Sequence, residues 1–368
     1  MALPLLFLAA CKKGTETNAF ADFLPISAAP DGTQGCYGPN QAFVASAPVY
    51  ADPVVGPTSQ IAAARGAETI YLSGADGSVS ALDFSGGAPP VVTTLVAGGV
   101  GGPIDQLLAS AGIAQPCELS GVAVLDASSL ALVEHTSNTI LLVSRTTPDS
   151  VAFLAGFPDL IEGFADGFAA QARFSFPPGV PTQLVATADG RIFVADSGNH
   201  AIRQVAVDAL VTVATVTGSG SPFFLDGDLS TAGFDTPAGL ALSCAGELLV
   251  TETGAAGLGG NRLRSLAIGA PSFFGGFRGE ARTLAGVLDA PRGPVTSSLD
   301  EVYWADSATG ILRRYAFATG ATDCPLFPDC ASASASFTPG SAVSLAVSDS
   351  GALYALDGGA GTLFRLSP

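Results

Sequence analysis

Two histidines, one tryptophan and one methionine are all that 368 residues contain of those types. So few histidines leave little room for a Ser–His–acid triad, and no Gly-x-Ser-x-Gly elbow accompanies them. Charge is scarce too. Only 13% of residues carry it, and 15 bases face 32 acids for a net charge of −17. Nucleic acid is excluded as a partner by that balance, because phosphate contacts dominate such affinity and need the opposite sign. No apolar run reaches the roughly 18 residues that a spanning helix requires, and no amphipathic helix of any length is visible. The six cysteines contain no Cys-x-x-Cys pair, and His135 and His200 lie far apart, which argues against zinc.

What the chain has in quantity is glycine and proline, 45 and 25 residues, as many short strands joined by tight turns require. The stretch "IFVADSGNHAIRQV", Ile192–Val205, alternates with period two, stops at Asp196, turns through Gly198 and Asn199, and resumes at Ala201. That is a β-hairpin with an acid at its corner. The same unit returns in "ELLVTETGAAGLGGNRLRSLA", "EVYWADSATGILRRYA" and "ALYALDGGAGTLFRLS". Corner acids Asp196, Glu252, Asp306 and Asp357 are spaced by 56, 54 and 51 residues (differences of their numbers). Weaker copies from Thr69 and Leu130, read as lacking a corner acid, bring the number of units to six.

A second marker precedes the hairpins. "FADGFAAQARFSFPPG" aligns without a gap on "FLDGDLSTAGFDTPAG", matching Phe164/Phe224, Asp166/Asp226, Ala172/Ala232, Phe174/Phe234 and Gly179/Gly239. The hairpin and its lead-in together resemble the NHL repeat of bacterial proteins. That resemblance implies an all-β, six-bladed β-propeller of four-stranded antiparallel blades. The residues agree independently, since each period holds about four short strand-like runs. In the third unit these are Gln183–Thr187, Ile192–Asp196, Ala201–Val207 and Leu210–Val216. The sixth unit offers only three strands, which would leave an open edge. Ala42–Tyr50 has strand character and is expected to pair with Gly361–Ser367, closing the last blade.

The beginning of the chain speaks to location. "MALPLLFLAAC" resembles the lipobox of bacterial lipoproteins, in which Cys11 becomes the lipidated residue, although the run is short and lacks a leading Lys or Arg. The expected organisation is a signal segment at 1–11, a tether at 12–38 and a propeller at 39–368. Localisation would then be the cell envelope, on the outer membrane or cell surface, with the membrane touched through the lipid alone. Cys324 and Cys330 bracket a Pro-rich loop and are expected to form a disulfide, Cys36 could tie the leader to Cys117, and Cys244 reads as a buried thiol.

Acids that repeat in every unit read as structural, because an active site occurs once. His200 belongs to the same repeated signature and reads the same way. Asp226 fits turn chemistry or a ligand role, but not an EF-type calcium loop, since Thr231 and Pro237 stand where Gly and Glu belong. In a propeller the second-to-third strand turns and the blade links open on one face. Asp166, Arg173, Asp196, Asn199, His200, Asp226, Arg262 and Phe273 are therefore the candidate binding rim, with its bulk on units three to five. Phe223, Phe224, Phe273 and Phe274 could equally plug the ring's own core. The expected function is a binding or scaffold module, a monomer that takes a protein, glycan or small molecule on one face without a cofactor. The alternative is a gluconolactonase-like or lyase-like enzyme dependent on a divalent cation such as calcium.

Overall fold

The hairpin that Ile192–Val205 foretells is formed. In the computed structural model, Arg191–Asp196 pairs antiparallel with Ala201–Ala206, and Asp196 faces Ala201 across the turn. The residue just before the third strand takes a left-handed backbone in five successive units: Asn138, His200, Asn261, Gly310 and Gly361. Asn and Gly tolerate that geometry at little cost. The structure describes residues 48–366 apart from 53, 65–66, 244, 255–260, 272–275, 287, 297–300, 326–342 and 349.

Six such units make six antiparallel sheets of four or five strands, each a blade of a β-propeller. The innermost strands are Ile61–Ala63, Leu119–Val124, Leu184–Ala186, Pro237–Leu242, Pro291–Thr296 and Val343–Val347, for blades one to six in order. Blades three and four each gain a short fifth strand. Gly167–Phe168 pairs with Thr212 and Val213, and Gly227–Asp228 with Glu280 and Ala281. The Asp-Gly lead-in thus covers the outer edge of its own blade, which a bare ladder would leave unpaired.

The ring closes as the strand deficit of the sixth unit requires. Pro48–Ala51 lies against Thr362–Leu366, with Tyr50 opposite Leu363 and Ala51 opposite Thr362. The strand runs one residue past the expected Tyr50, and residues 42–47 lie outside those described.

Apolar side chains fill the space between neighbouring blades. Phe193, Leu240 and Leu248 pack blade three on four, Val133, Phe174 and Val194 blade two on three, and Ile70, Leu356 and Leu363 blade six on one. Near the axis the blades are also stitched by polar groups. Ser73 Oγ donates to Ser120 O at 2.9 Å, Ser197 Oγ to Pro237 O at 2.7 Å, and Thr296 Oγ1 to Leu242 O at 2.6 Å. The approach is close enough that a Cβ on Gly121 would stand 2.5 Å from Thr182 O, so blade two needs glycine there.

Two expectations need correction. Pro103–Ser110 is an α-helix in the link from blade one to two, burying Ile104 and Leu108. Two turns are too short for helical periodicity to stand out, although Pro opens it as a first-turn proline should. Blade two does carry a corner acid. Glu134 ends its second strand opposite Thr139, in the place that Asp196 holds opposite Ala201.

Candidate functional site

In blades three and four the corner acids lie within buried clamps. Asp196 is fully buried and accepts hydrogen bonds from Ser175 N and Asn199 Nδ2 at 2.9 Å and Arg203 Nη1 at 2.7 Å. Arg203, also fully buried, gives its second terminal nitrogen to Asp166 at 2.7 Å and lies between Phe164 and Phe174, 5.0 and 5.1 Å from their centroids. Blade four repeats this arrangement. Arg264 bonds Glu252 at 3.2 Å and Asp226 at 2.8 Å, with Phe224 and Phe234 at 5.2 and 4.2 Å. The second sequence marker is therefore an arginine clamp in which Phe, Asp and Phe enclose one guanidinium. In blade five Arg313 bonds Asp306. In blade two Leu141 occupies the arginine position, opposite Leu132, so Glu134 is held by Ser137 Oγ and the backbone N–H groups of Glu118, Thr136 and Ser137.

Burial dominates the acidities. It pushes the Asp196 carboxyl up to about 6 against the pull of Arg203, and Glu252 up to about 7 against Arg264. Glu134 is raised for the same reason. Glu252 is the least satisfied of the three. Its hydrogen bonds among the described residues are two long ones from Asp235 N and Arg264, and Oε2 is buried without a partner.

The expected rim is thereby largely accounted for. Asp166, Asp196 and Asn199 meet in the blade-three clamp, and Asp226 stands in its counterpart. His200 Nδ1 accepts the Thr236 N–H at 3.0 Å. Arg173 forms a forked pair with Asp159 at 2.9 and 3.0 Å. Arg262 lies 3.4 Å over the Phe224 ring. Phe273 and Phe274 lie outside the described residues, as do Cys11, Cys36, Cys244 and Cys330. Cys324 is disulfide-bonded. Cys117 is a free thiol packed against Gly77 and the Asp105 carboxylate, and the expected link to Cys36 is not formed there.

A wide opening on the same face lies elsewhere, between blades one, two and three. It encloses about 870 Å³ and is lined by Pro57, Ala75, Cys117, Glu118, His135, Glu162 and Phe176 among others. His135 follows the blade-two corner acid. Its Nδ1 lies 3.1 Å from Pro177 O, and a carbonyl only accepts, so Nδ1 carries the proton. Nε2 is then a bare acceptor, buried and without a partner. Burial holds the ring's pKa below its ordinary value and keeps it neutral, against the opposing charge of Glu118. His135 is not legible in the sequence, because a lone histidine in a weak repeat carries no signal. Among the described residues no three His, Cys, Asp or Glu side chains converge where a cation could sit.

No family model matches the chain. A stretch of 128 residues is 31% identical to the chloroplastic protein Suppressor of Quenching 1 of Arabidopsis thaliana, covering 33% of this chain and 12% of that protein. The chain therefore spans a small fraction of that relative's length. Among solved structures, it is similar to a streptogramin B lyase (TM-score 0.51, 11% identity, 89% of this chain and 99% of that one). It is also similar to a gluconolactonase of Xanthomonas campestris (TM-score 0.53, 14% identity, 85% and 86%). A virginiamycin B lyase of Staphylococcus aureus gives a TM-score of 0.51 at 10% identity over 89% and 99%. Likeness at such identities speaks for the fold and goes no further.

Proposed function

We propose that this chain is an NHL-type propeller that binds a small, donor-rich ligand, such as a glycan or polyol, in the cleft between blades one and three. The observation that carries it is His135 Nε2. A buried acceptor without a partner costs about 1–3 kcal/mol; Nε2 lies just behind the wall of an 870 Å³ cleft, and a ligand hydroxyl that displaces the wall beside it would satisfy it. Glu118 and Glu162 add acceptors, and Leu160 and Pro57 offer apolar faces for a ring. Lipid attachment at Cys11 would present this face from the cell envelope, and a diacylglycerol thioether on that residue in membrane-extracted protein is the check. Screening a glycan and polyol panel by thermal shift tests the cleft. A ligand that raises the melting point of the native chain but not of His135→Leu supports it. A panel without hits, or hits indifferent to His135, sinks it.

A second reading, favoured by the lyase and gluconolactonase folds above, is metal-assisted opening of a lactone or cyclic ester. The donor set fits it poorly, because no three ligating side chains converge among the described residues. Lactone turnover that depends on an added divalent cation would revive it.

A further inference from the structure

In blades two and three the residue before the third strand also fastens its blade to the next one. In blade two Asn138 has a left-handed backbone, and its Oδ1 accepts the Phe176 N–H at 2.7 Å. Blade three places His200 at the matching position, again left-handed, and His200 Nδ1 accepts the Thr236 N–H at 3.0 Å. Phe176 and Thr236 each precede the proline of the repeated lead-in, Pro177 and Pro237. The two joints therefore share a form and differ in chemistry. An amide oxygen accepts throughout the pH range in which the chain is folded, whereas an imidazole nitrogen accepts only while it is bare.

Because Nδ1 takes the Thr236 hydrogen, the neutral ring of His200 carries its own proton on Nε2, the opposite tautomer from His135. A second proton, taken from solvent, can go only to Nδ1, where it confronts the Thr236 N–H. Solvent has access, since 17% of the side chain is exposed. A new partner is at hand. Asp235 Oδ1 lies 3.6 Å from Nδ1, and Asp235 Oδ2 is buried with no hydrogen-bond partner among the described residues. The other charged groups around the joint are engaged elsewhere. Asp196 and Arg203 of the same hairpin meet at 2.7 Å, Glu252 and Arg264 of blade four at 3.2 Å, and Arg262 lies over the Phe224 ring. Burial lowers the pKa of His200, and the charge of Asp235 opposes it in part.

We propose that His200 is an acid-sensitive joint between blades three and four, in which protonation of Nδ1 releases the Thr236 N–H and turns the imidazolium to the Asp235 carboxylate. Asn138 is the comparison that the fold itself supplies, a joint of the same form without a titrating group. The release is local. Ser197 Oγ still holds Pro237 O at 2.7 Å, and Phe193, Leu240 and Leu248 still pack the two blades. The ring stays closed while the entry to the inner strand of blade four is freed. With the folded pKa below the ordinary 6.5, the joint is made above pH 6.5 and is lost as pH falls through the folded value.

Amide hydrogen exchange of the full chain, followed residue by residue by NMR between about pH 8 and about pH 4, tests this. After correction for intrinsic rates, protection of the Thr236 amide should fall at least about tenfold on acidification, while that of Phe176 holds. In His200→Asn, which copies the blade-two joint, the fall at Thr236 should vanish. Glu252, pushed up to about 7, titrates nearby and acts equally in that variant, so the variant separates the two groups. The nitrogen resonances of His200, told from those of His135 with His135→Leu, should show a bare Nδ1 at neutral pH that gains its proton as Thr236 loses protection. Thr236 protection that is flat with pH, that falls alike in His200→Asn, or that falls equally at Phe176 overturns the proposal. So does a proton on Nδ1 at neutral pH. If His200→Asn does not fold, the nitrogen titration and the Thr236-to-Phe176 ratio in the native chain decide.

Discussion

Arg203 and Arg292 are both guanidinium groups drawn out of water, one in the outer part of blade three and one at the axis. Around Arg203 every terminal nitrogen is engaged. Asp196 and Asp166 supply opposite charge, the Arg173 and Ala165 carbonyls accept further hydrogen bonds, and two phenylalanine rings close the sides. Around Arg292 there is no carboxylate and no acceptor bond among the described residues. A cation held by two carboxylates fastens the fold, while one with no anion beside it contributes no such bond. The repeat makes the contrast sharper. The clamp recurs in blade four around Arg264, as structural chemistry should, whereas Arg292 has no described counterpart at the axis.

The largest effect should come from breaking a clamp. Arg203→Ala strands the Asp196 carboxylate in the interior and should cost about 3–5 kcal/mol in urea unfolding. A loss under about 1 kcal/mol would erase the distinction between the two arginines. A middle-sized effect should appear in pH dependence. Glu252 has a folded pKa raised to about 7, above its ordinary value of 4.5. The folded chain therefore holds the proton more firmly than the unfolded one. This group's contribution to stability is fully present below pH 4.5 and is lost as pH rises through 7. Thermal midpoints should fall across that window by an amount equivalent to about 1–3 kcal/mol, and Glu252→Gln should flatten the slope. An equally steep slope in the variant would place its origin elsewhere. The smallest effect belongs to the axis. Arg292→Met should leave stability unchanged or raise it by about 1 kcal/mol, because no partner is orphaned. A loss as large as that of Arg203→Ala would make Arg292 structural.

Much of the scaffold can be read from local pattern. The hairpin alternation, the corner acids from Asp196 onward and the three-strand deficit of the last unit depend on neighbours in sequence, so periodicity carries them. The third unit's strands fall within a few residues of their expected bounds, Thr212–Gly218 being the most displaced. Glu134 escapes notice because its corner lacks the basic partner that marks those of blades three to five, with Leu141 in place of arginine. The lead-in is legible as a repeat but not as a clamp, since Phe164 and Arg203 meet only after the chain has travelled to the axis and back. The candidate site is least legible, as are contacts between distant blades. Gln60 and Gln183 join across 123 positions, and the His135 cleft gathers three separate links. No local pattern encodes such meetings, because the closed ring creates them.

Closure by Pro48–Ala51 also sets a schedule for synthesis. The two halves of the last blade lie roughly 300 residues apart, so at about 5–20 residues per second a ribosome needs about 15–60 s to make the second after the first. Throughout that interval the early strand has no partner, and five finished blades would form an arc with a bare apolar flank at each end. The ring is therefore committed late, in one step that joins both ends of the arc. Slowing elongation should lengthen the exposure of those flanks without altering the finished protein.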